Sequence, residues 1–159
     1  MVARAGPGSF AVRIPEPERR ALTRFLGELR AVLEDGDPSD PALRHLHPEA
    51  YPDDPERSAE FHRLVRDDLT AQRLAAVAAM ERTVGADRLS EEELVGWLGA
   101  VNDLRLVLGT RLEVTAETSL DDFPRQDPGA ARFAAYAYLS YLEEEILEAL
   151  DGAPGRESD

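Results

Sequence analysis

The chain contains no cysteine, which excludes disulfides, thiolate metal sites and thiol oxidation as a switch. It also has no lysine, so all 18 basic residues are arginine, a bias that with abundant Ala, Gly and Pro reflects GC-rich coding more than mechanism. Aromatic residues make up only 6%, so any core must come from Leu, Ala and Val, a mixture that favours helices. No apolar run approaches the ~20 residues needed to cross a bilayer. The opening MVARAGPGS lacks the apolar centre of a secretory signal. A cytoplasmic chain with no membrane partner is therefore expected. Basic groups are also scarce relative to the 32 acidic ones, giving a net charge of −14. That balance argues against direct nucleic-acid binding, which depends on Arg and Lys releasing phosphate counterions.

What is present fits one domain, since 159 residues can bury a core without metals or disulfides. The expected fold is all-α, a compact bundle of four main helices with one short helix. Residues 1–9 read as a flexible leader, 10–150 as a single helical domain and 151–159 as a flexible tail. Phe10 to Ile14 alternates in polarity, which suits either a short strand or an extended arm. The first helix spans about Pro17 to Glu34, with Leu22, Phe25, Leu26, Leu29 and Leu33 at helical spacing and Gly36 as its stop. Between Asp37 and Asp54 four prolines and two Asp-Pro steps predict a loop holding one short helix, Pro41 to Leu46, capped by Asp40.

The second main helix runs from Pro55 to about Thr83. Ser90-x-x-Glu93 is a capping box opening the third, which continues to Leu112. An irregular stretch from Glu113 to Gln126 leads to the fourth, about Gly129 to Leu150, whose stripe is Ala135, Tyr138, Leu139, Leu142, Ile146 and Leu150. In the third helix Leu94, Trp97, Leu98, Val101, Leu104, Leu108 and Leu112 share a face, and Arg105 points out among them. The second helix carries Asp68 and Gln72 within its apolar stripe. If these two helices fold back on each other about Gly85 to Ser90, equal rise on either side of the turn places Asp68 opposite Arg105 and Gln72 opposite Asn102. The expected result is a polar layer of Asp68, Gln72, Asn102 and Arg105. It reads as an ion pair that fixes register or as a site where Arg105 holds a small anion.

Other chemistry is weakly signalled. His45-x-His47 with Glu49, and His62 one helix away, do not make a closed ligand set, so no metal is expected. Glu145-x-x-Glu148 is one carboxylate pair where helical carboxylate enzymes need matched pairs on separate helices. No phosphate-binding glycine loop or nucleophile elbow is present, so neither a cofactor nor a catalytic residue is assigned. Val95, Leu106 and Val107 on the third helix, and Tyr136, Tyr141 and Leu147 on the fourth, lie off the main stripes. They must be covered by the first helix, by loops, by a second copy in a homodimer or by a protein partner.

The run from Trp97 to Leu112, containing Asn102-Asp103-Leu104-Arg105-Leu106-Val107-Leu108-Gly109-Thr110-Arg111-Leu112, with Pro48 to Asp54 upstream and Ala135 to Leu150 downstream, resembles the actinobacterial domain-of-unknown-function 2017 family, which includes the AosR-like oxidative stress regulators. The motif's polar positions and its glycine are Asn102, Asp103, Arg105, Gly109, Thr110 and Arg111. The resemblance implies an all-helical cytoplasmic protein, commonly encoded near the Clp-protease adaptor, that acts through protein contacts in stress response, with no catalytic residues to carry over. The absence of Cys departs from the cysteine-dependent sensing attributed to that regulator type. Composition and resemblance together lead to a non-enzymatic regulatory or adaptor protein with protein partners. The competing expectation is a small-anion sensor or helical enzyme centred on Asp68, Gln72, Asn102 and Arg105.

Overall fold

The computed structural model describes residues 1–37, 39–46, 55–112 and 128–152. Elements run in the order β1 (Val2–Gly6), β2 (Ser9–Val12), α1 (Glu16–Asp35), α2 (Pro41–Leu46), α3 (Pro55–Thr83), β3 (Arg88–Ser90), α4 (Glu91–Leu112) and α5 (Pro128–Asp151). The helices dominate, yet the all-α expectation needs correction because a three-stranded antiparallel sheet, ordered β1-β2-β3, is also present.

The first nine residues form a hairpin with the segment that follows instead of a leader. Val2 pairs with Val12 and Arg4 with Phe10, and the Gly-Pro-Gly turn uses Gly8 at φ 64°, a left-handed conformation glycine adopts without a Cβ clash. β2 then pairs Phe10 with Leu89 of β3, inside what reads from sequence as a plain turn. Phe10 and Val12 are fully buried and Ile14 nearly so, so alternation in β2 drives one face of the sheet into the core. Val2 is the one large apolar residue of β1, too little for a strand signal in isolation; the partner strand supplies what local sequence does not.

The helices begin and end where their local chemistry dictates. Gly36 adopts φ 62° and its N–H donates to the Val32 carbonyl, closing α1. Asp40 accepts from the Ala42 N–H at 2.9 Å and so caps α2. In the capping box, Glu93 accepts from the Ser90 N–H at 2.8 Å while the Ser90 hydroxyl accepts from the Glu93 N–H at 3.1 Å.

Leu22, Leu26, Leu29 and Leu33 of α1 are buried, as are Leu139, Leu142 and Ile146 of α5. α4 is the central helix, packed against α3 on one side and α5 on the other, with α1, α2 and the sheet also reaching it. It therefore buries more than one stripe: Leu94, Trp97, Val101, Leu104 and Leu108 are joined by Ala100, Asp103 and Val107. The indole Nε1 of Trp97 donates to the Thr83 hydroxyl at 2.7 Å, which satisfies the one polar atom of a fully buried ring. No helix among the described residues is long and apolar enough to cross a membrane.

Candidate functional site

The four residues expected to form one polar layer do not converge. Asp68 and Gln72 are both exposed and bond to each other along α3, Gln72 Nε2 donating to Asp68 Oδ2 at 3.2 Å. Asn102 is half-buried on α4. Arg105 turns to α5, where its Nε donates to Ser140 Oγ at 2.9 Å, its Nη1 to Glu143 and its Nη2 to the Tyr136 hydroxyl at 3.4 Å. Its guanidinium carbon also lies 5.4 Å from the centroid of the Tyr136 ring, a cation–π distance. The register-fixing ion pair across the α3–α4 hairpin exists, but between Arg73 and Asp103.

Geometry explains the exchange. Successive helical residues turn by about 100°, so Asp103 and Arg105 lie about 200° apart and cannot both address one neighbour. Asp103 looks to α3 and Arg105 to α5. Arg73 follows the buried stripe of Val77 and Met80 at four- and seven-residue spacing, whereas Asp68 and Gln72 fall on the solvent side.

Two polar locks thus hold α4. In the first, Asp103 is almost wholly buried, at 3% exposure, and burial pushes its carboxyl above the ordinary value, the Arg73 hydrogen bond and charge pulling back only part of the rise. The Nη2 of Arg73 donates to the Leu46 carbonyl at 2.9 Å, supplying a partner to an otherwise orphaned group at the end of α2. One guanidinium therefore ties α2, α3 and α4. In the second lock, burial pulls the Arg105 pKa down, and the Glu143 carboxylate with the Tyr136 hydroxyl more than offsets it, so the net shift is upward.

The other motif residues have structural partners as well. A Cβ on Gly109 would stand 3.1 Å from the Tyr136 ring, so glycine permits close approach of α5. Thr110 donates to the Leu106 carbonyl at 2.7 Å. Arg111 pairs at 3.6 Å with Asp40, the residue capping α2. Tyr138, half-buried on α5, has its pKa raised to about 12 by burial and by the charges of Glu18 and Glu145.

Of the off-stripe apolar residues, Val107 is buried, Leu106 and Tyr136 are half-buried, and Val95, Tyr141 and Leu147 are about half exposed. No group of three or more potential metal ligands occurs among the described residues; the side chains of His45, His47, Glu49 and His62 lie outside them.

The family model for the domain of unknown function DUF2017 matches residues 1–150. The oxidative stress regulator AosR of Mycobacterium tuberculosis H37Rv is 33% identical over 133 residues, covering 73% of this chain and 61% of the relative. The putative oxidative stress regulator AosR of Mycobacterium leprae is 32% identical over 130 residues, covering 71% and 59%. The chain thus spans about three-fifths of the length of the curated relatives it matches. No solved structure matches it.

Proposed function

Given that the chain belongs to the domain-of-unknown-function family DUF2017, we propose that it is a non-enzymatic, cytoplasmic regulator of the oxidative stress response that works as an adaptor through protein contacts. The observation that carries this reading is the engagement of Arg105 within the fold. Each of its three guanidinium nitrogens is hydrogen-bonded within the chain. With three of its five N–H donors committed and its charge paired with Glu143, Arg105 serves first to join α4 to α5. The names of the mycobacterial relatives supply the stress context. With no cysteine in the sequence, the switch works by binding and not by thiol chemistry.

The test is removal of the coding sequence from its host, followed by peroxide challenge with transcript profiling. An altered oxidant response, restored by the wild-type chain, supports the proposal. An unaltered response contradicts it.

A further inference from the structure

A groove of about 590 Å³ opens where the middle of α1, the C-terminal end of α4 and the N-terminal end of α5 meet. Phe25 and Val32 from α1, with Val107 and Leu108 from α4, give it an apolar floor. Around that floor, among the described residues, stand Arg24, Arg111 and Arg132, against the single carboxylate of Glu28. This local excess of positive charge runs against a chain carrying −14 overall. Arg111 has Asp40 at 3.6 Å yet keeps 44% of its side chain exposed. Arg24 lies 5.4 Å from the Phe25 ring centroid. Among the described residues neither Arg24 nor Arg132 is joined to a carboxylate, and both are exposed.

We propose that this groove is the docking site for an acidic amphipathic helix of a partner protein. Apolar side chains at i, i+3, i+4 and i+7 would lie on the Phe25, Val32 and Leu108 floor, as in helix-in-groove recognition. Flanking Asp and Glu residues would meet the three guanidiniums. The positive end of the α5 dipole, close to Arg132, adds field of the same sign. Because its rim residues Arg24, Glu28, Arg111 and Arg132 are exposed, the groove lies open along its edge. A small ligand is normally enclosed over most of its surface, whereas a helix needs to bury only one face. Charge complementarity selects an acidic occupant and disfavours a basic one. The inference rests on the adaptor reading and gives it a surface and a class of partner.

The experiment uses the full chain and a fluorescein-labelled helical peptide of about 16 residues, with Leu along one face and Glu flanking it, read by fluorescence anisotropy. The expected result is saturable binding that weakens at high salt and falls at least about tenfold in R24E/R132E. Both substitutions are at exposed positions, and circular dichroism checks that the fold is retained. A peptide with Lys in place of Glu, and one with the same composition but its Leu residues scattered, should each bind at least about tenfold more weakly.

No saturable binding, equal binding of the scattered peptide or indifference to R24E/R132E would overturn the proposal. So would a wild-type dimer in sedimentation that R24E/R132E dissociates, since a second copy would then be the occupant. If R24E/R132E loses the peptide while cells carrying it respond normally to peroxide, the groove is excluded as the route of regulation and the adaptor reading survives on another surface.

Discussion

Arg73 on α3 and Asp103 on α4 face each other across the helical hairpin, and the second arm of the same guanidinium holds the last carbonyl of α2 at Leu46. Breaking a buried pair strands its remaining charge. Arg73→Met or Asp103→Leu alone should therefore cost about 3–5 kcal/mol in urea unfolding. The double variant R73M/D103L should recover most of that loss, because replacing both charges by apolar groups is often neutral. Additive losses would show that the pair is not the unit.

Asp68 offers the contrasting measurement. It is exposed, and its hydrogen bond runs to Gln72 on its own helix. Asp68→Ala should change stability by no more than about 0.5 kcal/mol. Arg105→Ala, which empties the junction with Ser140, Glu143 and Tyr136, should cost about 2–4 kcal/mol. A large loss at Asp68 would restore the pairing expected from sequence.

These two residues also show how far the sequence could be read. Antiparallel packing of the helix from Pro55 and the helix to Leu112, the Ser90 capping box, the Asp40 cap and the Gly36 stop are all local signals that the structure honours. Choice of face was not legible. α4 has neighbours on both sides, so a single apolar stripe is the wrong template, and Asp103 looks exposed only until α3 is placed over it. A second cause lies in α3, where Arg73 continues the buried stripe with only 24% of its side chain exposed, since a long aliphatic stem lets a charged residue occupy an apolar stripe. The strand read at Phe10 to Ile14 corresponds to β2, whereas β1 and β3 escaped for a different reason: they are short and carry few large apolar residues, so their stability is a property of pairing.

The motif glycine gives a comparison between two helical positions. A Cβ on Gly99 would meet nothing within 4 Å, so Gly99→Ala should raise stability by up to about 1 kcal/mol through helix propensity. Gly109→Ala gains the same propensity but meets the Tyr136 ring at 3.1 Å. Tyr136 is held by Arg105 and cannot retreat freely, so the substitution should be neutral or destabilising. In a Tyr136→Ala background the gain should reappear, which thermal denaturation of the four proteins would measure.

Tyr138 predicts an alkaline transition. Burial and the charges of Glu18 and Glu145 push its phenol in the folded state up to about 12, above the ordinary value of 10.0. The neutral phenol is therefore favoured in the folded state. This contribution is fully present below pH 10.0 and is lost as pH rises through about 12. Absorbance at alkaline pH should show a tyrosine titrating at about 12 that is absent in Tyr138→Phe. That variant should also lose less stability than the wild type across the same interval.

The account turns on the motif charges being structural locks and not reactive groups. The most direct test replaces Arg105 and Glu143 together with apolar residues, R105M/E143L, confirms the fold by circular dichroism and cooperative unfolding, and returns the chain to its host for peroxide challenge. The account predicts a normal oxidant response from the folded variant; a folded chain that no longer supports that response would contradict it.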